Sequence, residues 1–164
     1  MSGFYDFAQW LYDSPFGTAL RESQYVFPLV EGTHLLGLAF SVGLLALVDL
    51  RLAGVWLRDA PVQQVLSQLR PFIFAGFVVT FVTGSLLFSA LSIKLLAGPV
   101  FAVKLFFILL AGINFLWFEL GLAPHAAEWA NRSIPPLKVR IAGWTSLALW
   151  SAVVVSGRLI PYLG

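Results

Sequence analysis

The sequence contains no cysteine, and its single methionine is Met1. That excludes disulfides, thiolate metal sites and covalent c-type haem attachment, and leaves copper(I) without the soft ligands it prefers. Charge is scarce too. Asp, Glu, Lys and Arg make up 11% of the 164 residues, against roughly 25% in a soluble domain. So few charges cannot cover a water-facing surface, which excludes a soluble globular enzyme. A formal net charge of +2 without a basic stripe gives nucleic acid nothing to hold. Histidine occurs twice, and no Gly-rich nucleotide loop is present.

Apolar residues are what the chain has in abundance: 59% hydrophobic, 15% aromatic, mean hydropathy +0.87. A membrane-crossing helix needs about 20 mostly apolar residues. Four segments qualify, near Tyr25–Leu50, Phe72–Leu91, Pro99–Leu122 and Ile141–Ile160. Between them lie a polar linker or short surface helix (Pro61–Arg70), a tight turn (Ile93–Gly98) and a longer loop (His125–Lys138) containing Pro135-Pro136. Short connections make sequence neighbours antiparallel. The expected fold is therefore an all-α membrane protein, a four-transmembrane-helix bundle forming one integral membrane domain over 1–164.

Asp6 and Asp13 sit where a signal peptide would be basic and then apolar. Phe4, Phe7, Trp10 and Leu11 instead recur at helical spacing, which predicts a short N-terminal interfacial amphipathic helix. The connections after the first and third spans carry Arg51, Arg58, Arg70, Arg132, Lys138 and Arg140, whereas the other side carries Arg21, Lys94 and Arg158. The positive-inside rule then places both termini in the periplasm of a bacterial inner membrane.

Sliding the chain by 70 residues lays His34-Leu35 on Lys104-Leu105, Asp49-Leu50 on Glu119-Leu120 and Arg70 on Arg140. This divides the chain into candidate repeats 25–94 and 95–164, two parallel helix pairs about an axis along the membrane normal. His34 and Lys104 would then face each other across that axis in the outer half of the bilayer. At the other end, Asp49 is expected to pair with Arg140, and Glu119 with Arg70.

Charges inside a bilayer cost roughly 2.5–3.5 kcal/mol on insertion scales and default to a functional reading. The outer-half set is Glu31, His34, Lys104 and Arg158. A neutral imidazole in an apolar bundle suits an axial haem ligand, though it also suits an interhelical hydrogen bond. Gly37, Gly43, Gly76, Thr80, Thr83, Gly84, Gly143, Ser146 and Gly157 are small enough for a flat macrocycle, and equally for close helix packing. Lys104 must snorkel, pair with Glu31, or lose its proton. Unprotonated, it could coordinate a metal or accept a proton; opposite His34, it could be a second axial ligand or, when protonated, a distal proton donor. Glu31 and Lys104 are the candidates for proton transfer. Arg158 and Arg21 sit at the level of haem propionates; Arg158 could equally be an interfacial anchor beside Tyr162. His125, beyond Pro124, is a solvated loop residue far from His34. Glu31-x-x-His34 is half of a di-iron motif whose other half is missing.

The stretch Phe101-Ala102-Val103-Lys104-Leu105 resembles the lysine-leucine motif of HemJ-type protoporphyrinogen oxidases. His34, followed by Gly43 and Arg51, resembles their histidine helix. The same broad pattern occurs in CopD-like copper-resistance proteins, and Asp49-Leu50-Arg51-Leu52 looks like a signature of related bacterial four-helix membrane proteins. The resemblance implies haem b bound through His34 and Lys104. It departs at Ser41, where those oxidases have tryptophan, and in Arg158–Gly164, which lack their acidic C-terminal motif. It therefore implies haem binding more than protoporphyrinogen oxidation.

The expected function is a haem b-binding, cytochrome b-like protein performing electron transfer in the inner membrane, with a quinone or a redox protein as partner. A HemJ-like oxidoreductase acting on a porphyrinogen is the alternative. A small transporter or channel, or a cofactor-free structural subunit, is the alternative of another class. Outward aromatics, including Phe77, Phe81, Phe106, Phe107 and Phe115, would face lipid or a second copy in a homo-oligomer.

Overall fold

A computed structural model describes residues 2–163. The elements are α1 (Ser2–Asp13), α2 (Pro15–Glu22), α3 (Val26–Leu52), α4 (Val62–Ala97), α5 (Val100–Trp117), a π turn (Phe118–Leu122), a 3-10 turn (Ala123–His125), α6 (Ala126–Trp129) and α7 (Leu137–Leu163). No strand occurs among the described residues. α3, α4, α5 with the turns that follow it, and α7 are long and apolar enough to cross a membrane. The fold is an all-α four-helix bundle. One end carries both termini and the α4–α5 turn. The other carries the α3–α4 and α5–α7 connections. They are called here the terminal end and the loop end.

The helices begin and stop for local reasons. α3 ends where Gly54 adopts φ +74°, a left-handed conformation that glycine reaches without steric cost. Val55 N–H then donates back to the Leu50 carbonyl at 3.0 Å. α2 starts at Pro15, with the Ser14 hydroxyl accepting from the Gly17 N–H at 3.0 Å, a standard N-cap. The predicted linker at Pro61–Arg70 is not a separate piece. α4 runs unbroken through Pro71 for 36 residues, about 54 Å at 1.5 Å per residue. Proline removes one hydrogen bond from the ladder but is tolerated in an apolar helix supported by its neighbours. α4 also continues to Ala97, which shortens the predicted turn to Gly98–Pro99.

The N-terminal helix forms as expected, and its large apolar residues Phe4, Phe7 and Trp10 remain exposed. It docks instead through the small, fully buried Ala8, whose carbonyl accepts from the Ser92 hydroxyl of α4 at 2.8 Å. α2 was not foreseen; Gly17 lets it lie directly on the α4 backbone, since a Cβ there would stand 2.8 Å from the Ser89 carbonyl oxygen.

α3 packs along α4, and α5 along α7. α3 also lies against α7, whereas the backbones of α4 and α5 scarcely approach each other. An exact two-fold arrangement would make those two contacts equal. The densest apolar core lies at the loop end, where Val48, Leu52, Val62, Val139 and Trp129 are buried together. The loop between α5 and α7 is therefore an ordered cap. α5 is peripheral, with Ala111 the one buried residue of the helix.

Candidate functional site

In the terminal half, His34 of α3 lies on Gly84 of α4. A Cβ at Gly84 would stand 3.0 Å from the imidazole Cε1, so a glycine is what lets the ring settle against the helix. The His34 Nδ1 is 3.0 Å from the Thr80 carbonyl oxygen and 3.1 Å from the Thr83 hydroxyl. A carbonyl only accepts, so Nδ1 carries the proton. The Thr83 hydroxyl gives its own hydrogen to the Val79 carbonyl at 2.6 Å, which leaves its oxygen free to accept from Nδ1–H as well. In the neutral imidazole the lone pair is then on Nε2, which has no hydrogen-bond partner among the described residues. His34 thus makes the interhelical hydrogen bond through Nδ1 and keeps Nε2 without a partner among the described residues.

Lys104 of α5 has the equivalent place in the other helix pair. Its amine lies on Gly157 of α7, where a Cβ would be 3.4 Å from Nζ. Lys104 forms no hydrogen bond or ion pair among the described residues. Glu31 does not meet it: that carboxylate is exposed on α3 and joins no ion pair. Arg158 is exposed at the terminal end, 3.4 Å from the Tyr162 hydroxyl, as an interfacial anchor would be. Arg21 has other work. Its guanidinium donates to the Tyr12 and Ala90 carbonyls at 3.1 and 3.2 Å and lies over the Tyr12 ring, tying α1 and α2 to α4. His125 is exposed beyond α5. No group of three or more His, Cys, Asp or Glu side chains capable of holding a metal ion occurs among the described residues. His34, with its tautomer fixed and one nitrogen free, fits an axial ligand of haem iron; of the two arginines, only Arg158 keeps its head exposed for an anionic rim.

The loop half is built differently. Asp49 is about 22 Å along α3 from His34. Arg70 and Glu119 form a salt bridge between α4 and the π turn, as the sequence predicts. The matching bridge, Asp49 to Arg140, does not form. α7 approaches α3 too closely there: a Cβ at Gly143 would lie 2.7 Å from the Asp49 carbonyl oxygen. Arg140 passes this crossing and donates to the Ala53 carbonyl at 3.3 Å. Arg51, 1% exposed, clamps the two connections, donating to the Ala60 carbonyl at 2.7 Å and the Arg132 carbonyl at 2.9 Å. The sequence counts this residue as a loop charge and as part of the histidine-helix resemblance, and does not mark it as a clamp. Its signal was an arginine two places after a buried acid, on the opposite face of the helix.

Beside Asp49 lies a cavity of about 330 Å³ walled by all four long helices. Phe77, expected to face outward, lines it and packs on Trp150 with ring centroids 4.7 Å apart. Phe81, Phe106 and Phe115 are exposed, as the sequence suggests.

Fold and side-chain placement together define a multi-pass, all-α membrane protein with sparse polar groups held between its helices. The chain belongs to DUF6644, a family of unknown function, whose model matches residues 8–163. No curated protein and no solved structure matches it significantly.

Proposed function

We propose that the protein is a haem b-binding membrane protein of the bacterial inner membrane, with both termini periplasmic, that passes electrons to or from a quinone or a redox protein. One observation carries this reading: the His34 imidazole is oriented by the Thr80 carbonyl and the Thr83 hydroxyl so that Nε2 alone remains free, in an apolar bundle. Metal-ligating histidines are commonly held in this way through their other ring nitrogen. Haem supplies one-electron chemistry when bound; the chain supplies the ligand, its orientation and a dry surrounding. Lys104 supports the reading as the second polar side chain of the same half. Arg158, exposed at the terminal end, is the available partner for a propionate.

The test is the colour of the protein. Wild type produced with haem supplied should purify with a Soret band and, on reduction, split α and β bands. His34→Ala should lose those bands while eluting as a folded species. Lys104→Ala should alter the spectrum without abolishing it. Colourless, folded wild type after haem supply sinks the reading.

A further inference from the structure

The loop-half cavity carries a feature that neither the His34 layer nor the helix packing explains. Asp49 lines it and is 3% exposed, yet its Oδ2 has no hydrogen-bond partner. An unpaired carboxylate so placed costs several kcal/mol unless something neutralises it. No basic side chain of the wall does so. The other ionisable residues of the wall, Arg70 and Glu119, are spent on each other. Arg51 is not part of the wall: it donates to the Ala60 and Arg132 carbonyls, and its Nη1 is buried without a partner. With Asp49 ionised the wall holds one net negative charge; with Asp49 protonated it is neutral.

The remaining polar groups have the same character. Asn114 lines the cavity and its amide nitrogen donates to the Ala142 carbonyl at 3.1 Å, which leaves its oxygen free to accept. Ser146 stands beside the Asp49 carboxylate. The ligand complementary to an ionised Asp49 donates hydrogen bonds and carries positive charge. The rest of the wall is apolar and aromatic, with Phe77 and Trp150 stacked on one side. About 330 Å³ is within the range of small-molecule sites.

Access is lateral. Phe74, Ile108 and Phe115 line the cavity and are also exposed on the outside of the bundle. They mark the seam where the α4 and α5 backbones stay apart. Phe74 and Phe115 meet edge-on across it with centroids 6.3 Å apart. A ligand arriving there comes from the lipid, so it must be amphiphilic. A second cavity of about 300 Å³, in the α3–α7 groove, shares Leu45, Asp49 and Trp150, so the carboxylate borders space on both sides of α3.

We infer that the cavity is a binding site for an amphiphilic organic cation, with the apolar body between α4 and α5 and a protonated amine on the Asp49 carboxylate. The site lies in the opposite half of the bundle from His34 and does not depend on haem.

The experiment uses the full chain in phosphatidylcholine nanodiscs, with binding to empty discs subtracted. The probes are 4-phenylbutylamine, the neutral 4-phenylbutanol and the anionic 4-phenylbutyrate. The amine should bind saturably, the alcohol about tenfold or more weakly, and the carboxylate not at all. Asp49→Asn should weaken the amine by about tenfold or more and leave the alcohol unchanged. Gly112 lines the cavity and has nothing within 4 Å of a Cβ. Gly112→Leu should therefore block both probes in a protein that folds normally, and it serves if Asp49→Asn does not fold. Equal binding of amine and alcohol, or no saturable amine binding, overturns the proposal. So does amine binding that survives Asp49→Asn or, should that variant not fold, survives Gly112→Leu. The haem spectrum should not change in any of these variants, which separates this site from the His34 reading.

Discussion

The two halves of the bundle handle polar groups in opposite ways. At the loop end, charge is tied down by many fixed partners: Arg51 on two carbonyls, Arg140 on a third, Arg70 on Glu119. At the terminal end, two polar side chains lie singly on glycines of the neighbouring helix, and each keeps capacity unused, His34 at Nε2 and Lys104 at its amine. A buried polar group with all its bonds satisfied rigidifies a fold. One held in place with a free atom is poised for something else. The loop half thus reads as the clamp of the molecule and the terminal half as the layer that the proposed haem would occupy. Two atoms inside the clamp stay unsatisfied, Asp49 Oδ2 and Arg51 Nη1; of the two residues, Asp49 is the one that lines the cavity.

The contrast breaks most sharply at Gly143. A Cβ there would stand 2.7 Å from the Asp49 carbonyl oxygen and 3.1 Å from the Ala53 amide nitrogen. Both are backbone atoms of α3 and its end, so they cannot swing aside. Gly143→Leu should separate α3 from α7 and cost about 3 kcal/mol, measured by thermal unfolding in detergent. Unchanged stability would mean that the α3–α7 crossing is not part of the clamp.

Gly84 sharpens the other side. Its neighbour is a side chain, the His34 ring at 3.0 Å, which can shift by a few tenths of an ångström. Alanine also gains up to about 1 kcal/mol in helix propensity over glycine. Gly84→Ala should therefore leave unfolding within about 1 kcal/mol of wild type while displacing the imidazole from Thr80. The absorption spectrum of the haem-loaded protein should shift. A fully wild-type spectrum would show that the Gly84 contact does not set the position of the ligand.

The spans and the polar residues of the terminal half were legible in the sequence because hydropathy and rarity of charge are one-dimensional signals. Arg70–Glu119 was legible through the shift of 70 residues, but the same shift misplaced Arg140. It assumes that both helix pairs meet alike, and Gly143 brings α7 onto α3 in a way that α5 and α4 do not copy. The cavity is a product of that inequality, so no pattern in one helix announces it. Phe77 was misassigned for the same reason: its direction depends on Trp150, 73 positions later. The helical run through Pro71 was hidden because proline marks a boundary in water more reliably than in an apolar bundle.

The smallest effect is expected at the Arg70–Glu119 bridge, and its smallness is informative. The two side chains are 42% and 25% exposed, so their attraction is screened and their desolvation partial. Such pairs contribute about 0–1 kcal/mol. A double-mutant cycle with Arg70→Gln and Glu119→Gln, read by thermal unfolding in detergent, should give a coupling below about 1 kcal/mol. The bridge crosses the seam between α4 and α5, whose backbones stay apart. If the bundle is held by α3 on α4, α5 on α7 and α3 on α7, that seam contributes little to stability and is free to serve as an entrance. A coupling above about 2 kcal/mol would place a structural contact where the packing leaves an opening, and the distinction between clamp and entrance at the loop end would fail.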